Sequence, residues 1–378
     1  MKQIKSIWIV TSGYPTKEDP HYAFIRPVVC EMADMGIECT VFVPQSITRF
    51  LLEKKKSRPK EWFDYTENNS KIRIIQPVYL SLSTFKLFGK ELSITLKTKC
   101  LKKVFEREKK QPDVIYTHFW DNGIIAASIV KDKPIYVATG ESNIWVKKKF
   151  QWNVIEKALN NITGVIGVST KNIAESKRLG LLDKVKKTIV LPNGYNPKQF
   201  YSYSKDKARE ELGIPNDSIV AIFVGAFCER KGDQRVVEAA KKVDDLKLIM
   251  VGKGENKPSS DQIIFCGPVS HGELVKYLNA ADVFVLPTLA EGCCNAIVEA
   301  IACGLPIISS NRDFNDDILD NSYSIRINPD SVDEISNALK TIVDNPEYRR
   351  EMAKKSKERA LSLTIQSRVE KIVDFMSM

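Results

Sequence analysis

The stretch Ala281-Asp282-Val283-Phe284-Val285-Leu286-Pro287-Thr288-Leu289-Ala290-Glu291-Gly292-Cys293-Cys294-Asn295-Ala296-Ile297-Val298-Glu299-Ala300 carries three signals in a row. Val283 to Leu286 is an unbroken apolar run, which is how a strand buried on both faces of a parallel sheet reads. Pro287 ends it, small residues make a turn, and a helix opens near Cys294 or Asn295. A strand, a short turn and a helix in that order predict an open parallel sheet with crossover helices.

The same alternation extends outward. In the second half, strands are expected at Val220-Val224, Leu248-Val251, Ile263-Phe265 and Ile307-Ile308, with helices near Asp233-Lys242, Gly272-Ala280, Asn295-Cys303 and Val332-Val343. The first half repeats the theme, with strands at Ile7-Val10, Cys39-Val43, Ile72-Ile75, Val114-Tyr116, Ile135-Val137, Val165-Gly167 and Thr188-Leu191. Helices fit between them near Phe24-Met35, Leu92-Glu108, Gly123-Val130, Val146-Leu159 and Lys171-Leu179. Pro192-Asn193-Gly194-Tyr195-Asn196-Pro197 interrupts the pattern with turn residues, and a polar stretch follows through Ser202, Ser204 and Lys205. A chain of 378 residues is long for one domain, so this break is read as a boundary between residues 1–192 and 193–362. The last helical stretch, Ile365 to Phe375, is long enough to return to the first domain, which assigns it residues 363–378. The expected fold class is α/β: two facing Rossmann-like, doubly wound parallel sheets with a cleft between them. In such sheets ligands bind beyond the carboxyl ends of the strands.

Composition narrows the function. Apolar residues are 43% and charged residues 28%, as in an ordinary globular protein. The run Ile7-Trp8-Ile9-Val10 is too short for a signal-peptide core, and no run reaches the roughly eighteen apolar residues of a membrane span. A cytoplasmic protein is expected. The eight cysteines include no CxxC pair and only one vicinal pair, Cys293-Cys294, which favours reduced thiols over disulfides or zinc. The net charge of +10 is uneven: residues 1–190 hold 33 Lys and Arg against 19 Asp and Glu, and the remainder 24 against 28. Dense basic patches lie at Lys54-Lys55-Lys56-Ser57-Arg58-Pro59-Lys60 and from Lys97 to Lys110. Leu80, Leu82, Phe85, Leu87 and Phe88 precede the second patch, so this face suits the inner surface of an anionic membrane or serves as a solvated helix face. No zinc-finger, RNA-recognition or basic-zipper pattern accompanies the charge, which argues against a nucleic-acid partner.

The chemistry concentrates after the strand at Val283. Unpaired N–H groups at the start of a helix carry the positive end of its dipole and suit a diphosphate or sugar oxygens. Glu291 stands in the turn and Glu299 about one helical turn in, where paired carboxylates can accept hydroxyl protons of a sugar or ribose. Both also read as surface glutamates near a helix start. His118 follows an apolar strand and precedes Phe119-Trp120-Asp121; at a strand's carboxyl end it is a candidate to contact a ligand. His21 and His271 have weaker claims, since His271 can cap a helix. The loop after the first strand contains Gly13 but no GxGxxG turn, so a nicotinamide dinucleotide fingerprint is absent there. Thr139-Gly140-Glu141 follows another strand and either lines that side or is a plain turn. No DxD sequence and no metal-ligand spacing occurs, so a divalent cation is not required.

Two glutamates with seven residues between them, Glu291-Gly292 after Leu286-Pro287 and Glu299-Ala300 before Ile301-Ala302-Cys303-Gly304-Leu305-Pro306-Ile307-Ile308-Ser309-Ser310, resemble the donor-binding signature of family-four retaining glycosyltransferases of the GT-B fold. Further segments resemble the family in order. Val224-Gly225-Ala226-Phe227-Cys228-Glu229-Arg230-Lys231-Gly232 is similar to its phosphate-binding turn, and Leu191 to Phe200 to its interdomain linker. Val114 to His118 resembles the strand ending in a cleft histidine, and Phe265-Cys266-Gly267-Pro268-Val269-Ser270-His271-Gly272-Glu273-Leu274 the loop that receives the base.

The resemblance implies roles. Glu291 would hold hydroxyls of the transferred sugar, Glu299 the ribose, and the backbone of Gly292, Cys293, Cys294 and Asn295 the sugar and diphosphate. Gly225 would lie in the phosphate turn, Val269 at the base, Gly13 near the diphosphate, and His118 at the donor sugar. Lys231 would neutralise the departing diphosphate, where negative charge grows. Ala226 departs from an arginine common in the family; Arg230 is the candidate substitute, or else an exposed turn residue. The expected donor is a nucleoside diphosphate sugar, with no metal, and the acceptor a saccharide or a lipid-linked saccharide of surface polysaccharide assembly. A sugar-nucleotide epimerase and a catalytically silent subunit of the same fold are the alternatives.

Overall fold

The computed structural model describes residues 3–16, 19, 22–48, 59–81, 86–87 and 90–378, with the backbone alone described at 86, 87, 90 and 91. The lysine run Lys54-Lys55-Lys56-Ser57-Arg58 lies outside the described residues, as do His21, Leu82, Phe85 and Phe88. By packing, the chain divides into one unit of Met1–Leu191 with Val369–Met378 and a second of Pro192–Arg368. The division falls inside the last helix, Ile365–Ser377, rather than before it. Residues 363–365 belong with the second unit because Tyr195 N–H donates to Leu363 O and Ile365 N–H donates to Tyr195 O.

The first unit is built on an eight-stranded sheet. Its strands run, in spatial order, Lys187–Val190, Ile162–Gly167, Ile135–Thr139, Val114–His118, Ser6–Val10, Glu38–Phe42, Lys71–Ile75 and Glu61–Tyr65. All neighbours are parallel except the last pair. The central strands are buried along almost their whole length, as continuous runs of Ile, Val and Tyr require. Trp8, Phe42 and Phe105 meet with centroids 4.8 to 5.1 Å apart and fill one side of the core. On the far side of the sheet order, Tyr136 donates to Met376 O and packs on Phe375, which fastens the end of the last helix to this unit.

The second unit carries six parallel strands, ordered Ile263–Gly267, Leu246–Val251, Ile219–Val224, Val283–Leu286, Ile307–Ser310 and Ser324–Ile327. Its first strand lies inside the sheet, between Leu246–Val251 and Val283–Leu286, so the order of connection reverses there. The first unit has the same reversal at Ser6–Val10, which pairs with Glu38–Phe42 and Val114–His118. These are the places where successive turns part to opposite faces and leave a crevice at the strand ends.

Most expected elements are present with shifts of a residue or two, and four differences have physical causes. The stretch expected as one helix over Val146-Leu159 is two, Val146–Lys149 and Trp152–Leu159, because Phe150 is extended at φ −118°. Glu61–Tyr65 is an antiparallel edge strand whose polar alternation resembles a loop. Ser324–Ile327 adds a short edge strand to the second sheet. The polar stretch after Tyr203 is a helix, Lys205–Leu212, capped by Ser204 accepting from Lys207 N–H and ended by Gly213 in the left-handed region at φ 67°.

That unexpected helix is held by a buried ion pair. Arg209 Nη2 donates to Asp282 Oδ2 at 2.7 Å, while its other nitrogens donate to Ala280 O, Pro215 O and Asn216 O. Asp282 also accepts from Val220 N–H at 2.9 Å and pairs with Lys205 at 2.7 Å, so one carboxylate ties the helix to the starts of both central strands. Arg209 and Asp282 are both buried, and removing Arg209 leaves Asp282 to the partly exposed Lys205 and strips a donor from three backbone carbonyls. Arg209→Ala should therefore cost about 3 to 5 kcal/mol in urea unfolding of the second unit; a loss under about 1 kcal/mol would contradict this account.

Candidate active site

At the reversal in the second sheet, Ala221 and Ile222 pair with Val283 and Phe284, so the turns leaving these two strands emerge side by side. The first turn, Gly225 to Gly232, is shaped by close backbone contact. Gly252 lies so near that a Cβ there would sit 1.9 Å from the Gly225 carbonyl oxygen, and only glycine fits. Phe227 N–H donates to Lys253 O, and both Lys231 and Gly232 N–H donate to Cys228 O, closing the turn. The second turn is bonded to the first: Leu289 N–H donates to Arg230 O at 2.8 Å, and Arg235 Nη2 donates to Pro287 O.

Across this seam Glu291 Oε1 receives Lys231 Nζ at 2.6 Å, Arg230 Nη1 at 2.9 Å and Thr288 Oγ1 at 3.0 Å. Arg230 and Glu291 are 61 residues apart in sequence. Burial works against the Lys231 charge, but Glu291, by its charge and its hydrogen bond, holds the ammonium above its ordinary pKa. Lys231 is thus cationic at any physiological pH. Two cations against one carboxylate leave surplus positive charge in a mostly buried spot, which favours an incoming anion. Arg230 also donates to Ala290 O and stays about half exposed, so its guanidinium serves Glu291 first.

The helix Asn295–Ala302 starts beside this cluster without any side-chain cap, and its first internal bond runs from Val298 N–H to Cys294 O. The N–H groups of Asn295 to Ile297 precede that bond, the arrangement that suits a phosphate. Gly292, Cys293 and Cys294 are buried; the Cys293 thiol accepts from Asn193 N–H at 3.4 Å, and the Cys294 thiol faces the N–H groups of Ala296 and Ile297. Asn193 clamps it by donating to Cys293 O at 3.1 Å and to Asn295 Oδ1 at 2.7 Å.

Glu299 has an unforeseen partner. His271 Nε2 lies 2.9 Å from Glu299 Oε1, and Gln199 Nε2 sits 2.8 Å from the other ring nitrogen. The His271 ring thus bonds Glu299 and Gln199 instead of capping the helix Leu274–Ala280. Val269, half-buried, lies two residues earlier in the turn after Ile263–Gly267. The hydrogen bond to Glu299 raises the His271 pKa against the opposing effect of burial. Adjacent Pro268-Val269-Ser270 hinted at a ligand loop, but no local pattern reveals which acid a histidine will meet.

The first unit holds the remaining candidates at its own strand reversal. His118 is buried at the end of Val114–His118, with Phe24 and Phe119 rings 5.1 and 4.3 Å away. Phe119 has φ 71°, a strained conformation for an aromatic residue that turns the chain sharply into the helix Trp120–Ile129. Gly13 lies under the Tyr22 ring, too close for any Cβ. Glu141 turns inward instead of lining the loop: it accepts from Trp120 N–H, Thr139 Oγ1 and Gly140 N–H, while burial raises its pKa against those bonds. Lys97 likewise leaves the basic patch assigned to it and donates to the buried Asn122 Oδ1 at 2.9 Å, its pKa pushed down to about 8 by burial. Lys99, Lys102, Lys103, Arg107, Lys109 and Lys110 remain exposed. Trp145 and Trp152, which drew no attention in the sequence, are also exposed, with Lys148 and Lys147 over their rings. Among the described residues no helix is long and apolar enough to cross a membrane.

The His271 contact gives a pH signature. A raised pKa means the His271–Glu299 ion pair is complete below about 6.5 and is lost as pH rises through the folded value. With only three histidines in the chain, NMR titration resolves each. His271 should titrate above about 6.5 and fall toward it in Glu299→Gln; no difference between the two proteins would show that Glu299 does not set the shift.

Known proteins resemble the chain along most of its length. The family model for glycosyl transferases group 1 matches residues 204–359, and that for glycosyltransferase family 4 matches residues 24–199. The chain is 28% identical over 352 residues to TuaC of Bacillus subtilis, named for teichuronic acid biosynthesis, covering 89% of this chain and 88% of that one. It is 27% identical over 297 residues to an Escherichia coli UDP-Gal:α-D-GlcNAc-diphosphoundecaprenol α-1,3-galactosyltransferase, covering 71% and 76%. Its fold matches sucrose-phosphate synthase from Thermosynechococcus elongatus with a TM-score of 0.76 at 18% identity, over 98% of both chains. With one family model on each half, relatives along most of its length and two Rossmann-like units of the GT-B type, the chain belongs to the group 1, family-four glycosyltransferases.

Proposed function

We propose that this glycosyltransferase moves a sugar from a nucleoside diphosphate sugar, with retention at the anomeric carbon, onto a lipid-linked saccharide in surface polysaccharide assembly. The single observation that carries the donor side is the Glu291 carboxylate fixed between Lys231 and Arg230 beside an uncapped helix start. In the reaction the anomeric carbon–oxygen bond to the diphosphate breaks while the acceptor oxygen attacks the same face. The acceptor proton passes to the departing diphosphate oxygen. Lys231 and the N–H groups of Asn295 to Ile297 stabilise the charge that grows there, which leaves no work for a divalent cation. Glu291 orients sugar hydroxyls, Glu299 the ribose, and Gly225, Gly292, Cys293 and Cys294 keep the backbone close. Val269 borders the base. On the first unit, His118 is the proposed sugar-contacting group and Gly13 keeps its loop close. The relatives named above support a lipid-linked acceptor, since one is named for a diphosphoundecaprenol substrate.

Glu291→Ala and Lys231→Ala should each lower turnover of the nucleotide sugar by roughly a hundredfold, and EDTA should leave the wild-type rate unchanged. Wild-type rates in both variants would defeat the assignment. The acceptor side is proposed to touch an anionic membrane through exposed Lys99, Lys102, Lys103, Lys147 and Lys148 with Trp145 and Trp152, cations and amphipathic rings together being what a lipid headgroup layer attracts. Vesicles rich in anionic lipid should sediment the protein at low salt and release it at high salt, and Lys147→Glu with Lys148→Glu should weaken binding. Failure to bind such vesicles at low salt would remove the membrane from the proposal.

A further inference from the structure

We infer that Lys97 is an anchoring point for a phosphate group of the acceptor, an inference that rests on the lipid-linked acceptor proposed above. On the helix Leu92–Arg107 it is set apart from its lysine neighbours by direction: they face solvent, and it reaches toward the strand ends. Asn122, which receives it, is buried and donates to His118 O at 2.6 Å and to Ser12 Oγ at 3.1 Å. The ammonium is thereby fixed over the carboxyl ends of Ser6–Val10 and Val114–His118, the two strands at which the first sheet reverses. That is where a ligand of this unit is expected to lie.

The ammonium is under-used. It has three N–H donors, and among the described residues Asn122 Oδ1 is its one acceptor and no carboxylate lies within ion-pair distance. Asp121, the acid that favours its charge, is itself bonded to Lys149, whose own charge opposes that of Lys97. Glu141, beneath Trp120, has its carboxylate taken up by the three donors described above. A half-buried cation with one neutral protein partner is costly, and a methionine would pack on Asn122's helix without that cost. The cost is offset when an anion arrives. A phosphate oxygen satisfies the remaining donors with charge-assisted bonds, and Ser12 Oγ and the positive end of the helix Trp120–Ile129 adjoin the same spot. Lys97 then reads the link between saccharide and lipid rather than the saccharide itself.

The test is calorimetric, with nucleoside diphosphate saturating so that the donor side is filled. Wild-type protein should bind farnesyl diphosphate at least about tenfold more tightly than farnesol, since one charge-assisted bond is worth that much. Lys97→Met should bind the two alike, and Lys97→Arg should keep the preference, with unchanged nucleoside diphosphate affinity in both. A preference that survives in Lys97→Met overturns the inference and leaves the lipid-linked acceptor standing. Wild-type protein that shows no preference, yet glycosylates a free saccharide, overturns both. Inorganic pyrophosphate matching farnesyl diphosphate in a Lys97-dependent way would overturn the acceptor assignment in favour of a free-phosphate site.

Discussion

The 2.6 Å contact between Lys231 and Glu291 is the constraint around which the second unit is organised. It exists because two strands distant in sequence are neighbours in a parallel sheet, so their turns leave the same edge in contact. The surrounding bonds protect that contact. Gly252 lets the first turn lie flat against a neighbouring strand end, the Arg230 carbonyl joins the first turn to the second, and Asn193 clamps the start of the helix. The ion pair is mostly shielded from water, so its polarity is worth more than on an open surface, and it is assembled before any donor arrives.

Much of this was legible in residues and much was not, for a consistent reason. Val283 to Leu286 announces a buried strand because an unbroken apolar run has few alternatives, and Glu291, Lys231 and Glu299 stand out by position in the turns that follow. Local patterns report what a segment buries, whereas partners across the fold are set by topology. Arg209 looks like an ordinary charge on a polar stretch, yet it is buried against Asp282. Lys97 looks like one of a row of lysines, and only the packing of two helices turns it inward. The loops around Glu141 and His271 read as plain turns, while the contacts of the two side chains come from Trp120 N–H and from Glu299. Glu61–Tyr65 was missed because an edge strand with one wet side reads like a loop.

Charge is used in two ways in the first unit. The exposed lysines lie in water, where each adds little by itself and salt screens it, so they act as a field over a broad surface. Lys97 is the opposite case, a single half-buried charge aimed by its bond to Asn122. The net positive balance of this half therefore does not describe one property. On the proposed reading most of it serves contact with a membrane, and one residue of it serves the acceptor.

The antiparallel strand Glu61–Tyr65 has a consequence for how the protein behaves in a crowded solution. It closes the row of strands at one margin, and among the described residues nothing pairs with its outer side. An open margin of this kind recruits other chains into ribbons. Here Glu61 and Asp64 carry charge along the strand and are held by Arg73 and Arg26, so a second copy pairing with this margin would have to desolvate those ion pairs. The charged fringe thus works against stacking of copies edge to edge, although Phe63 and Tyr65 are exposed on the same strand.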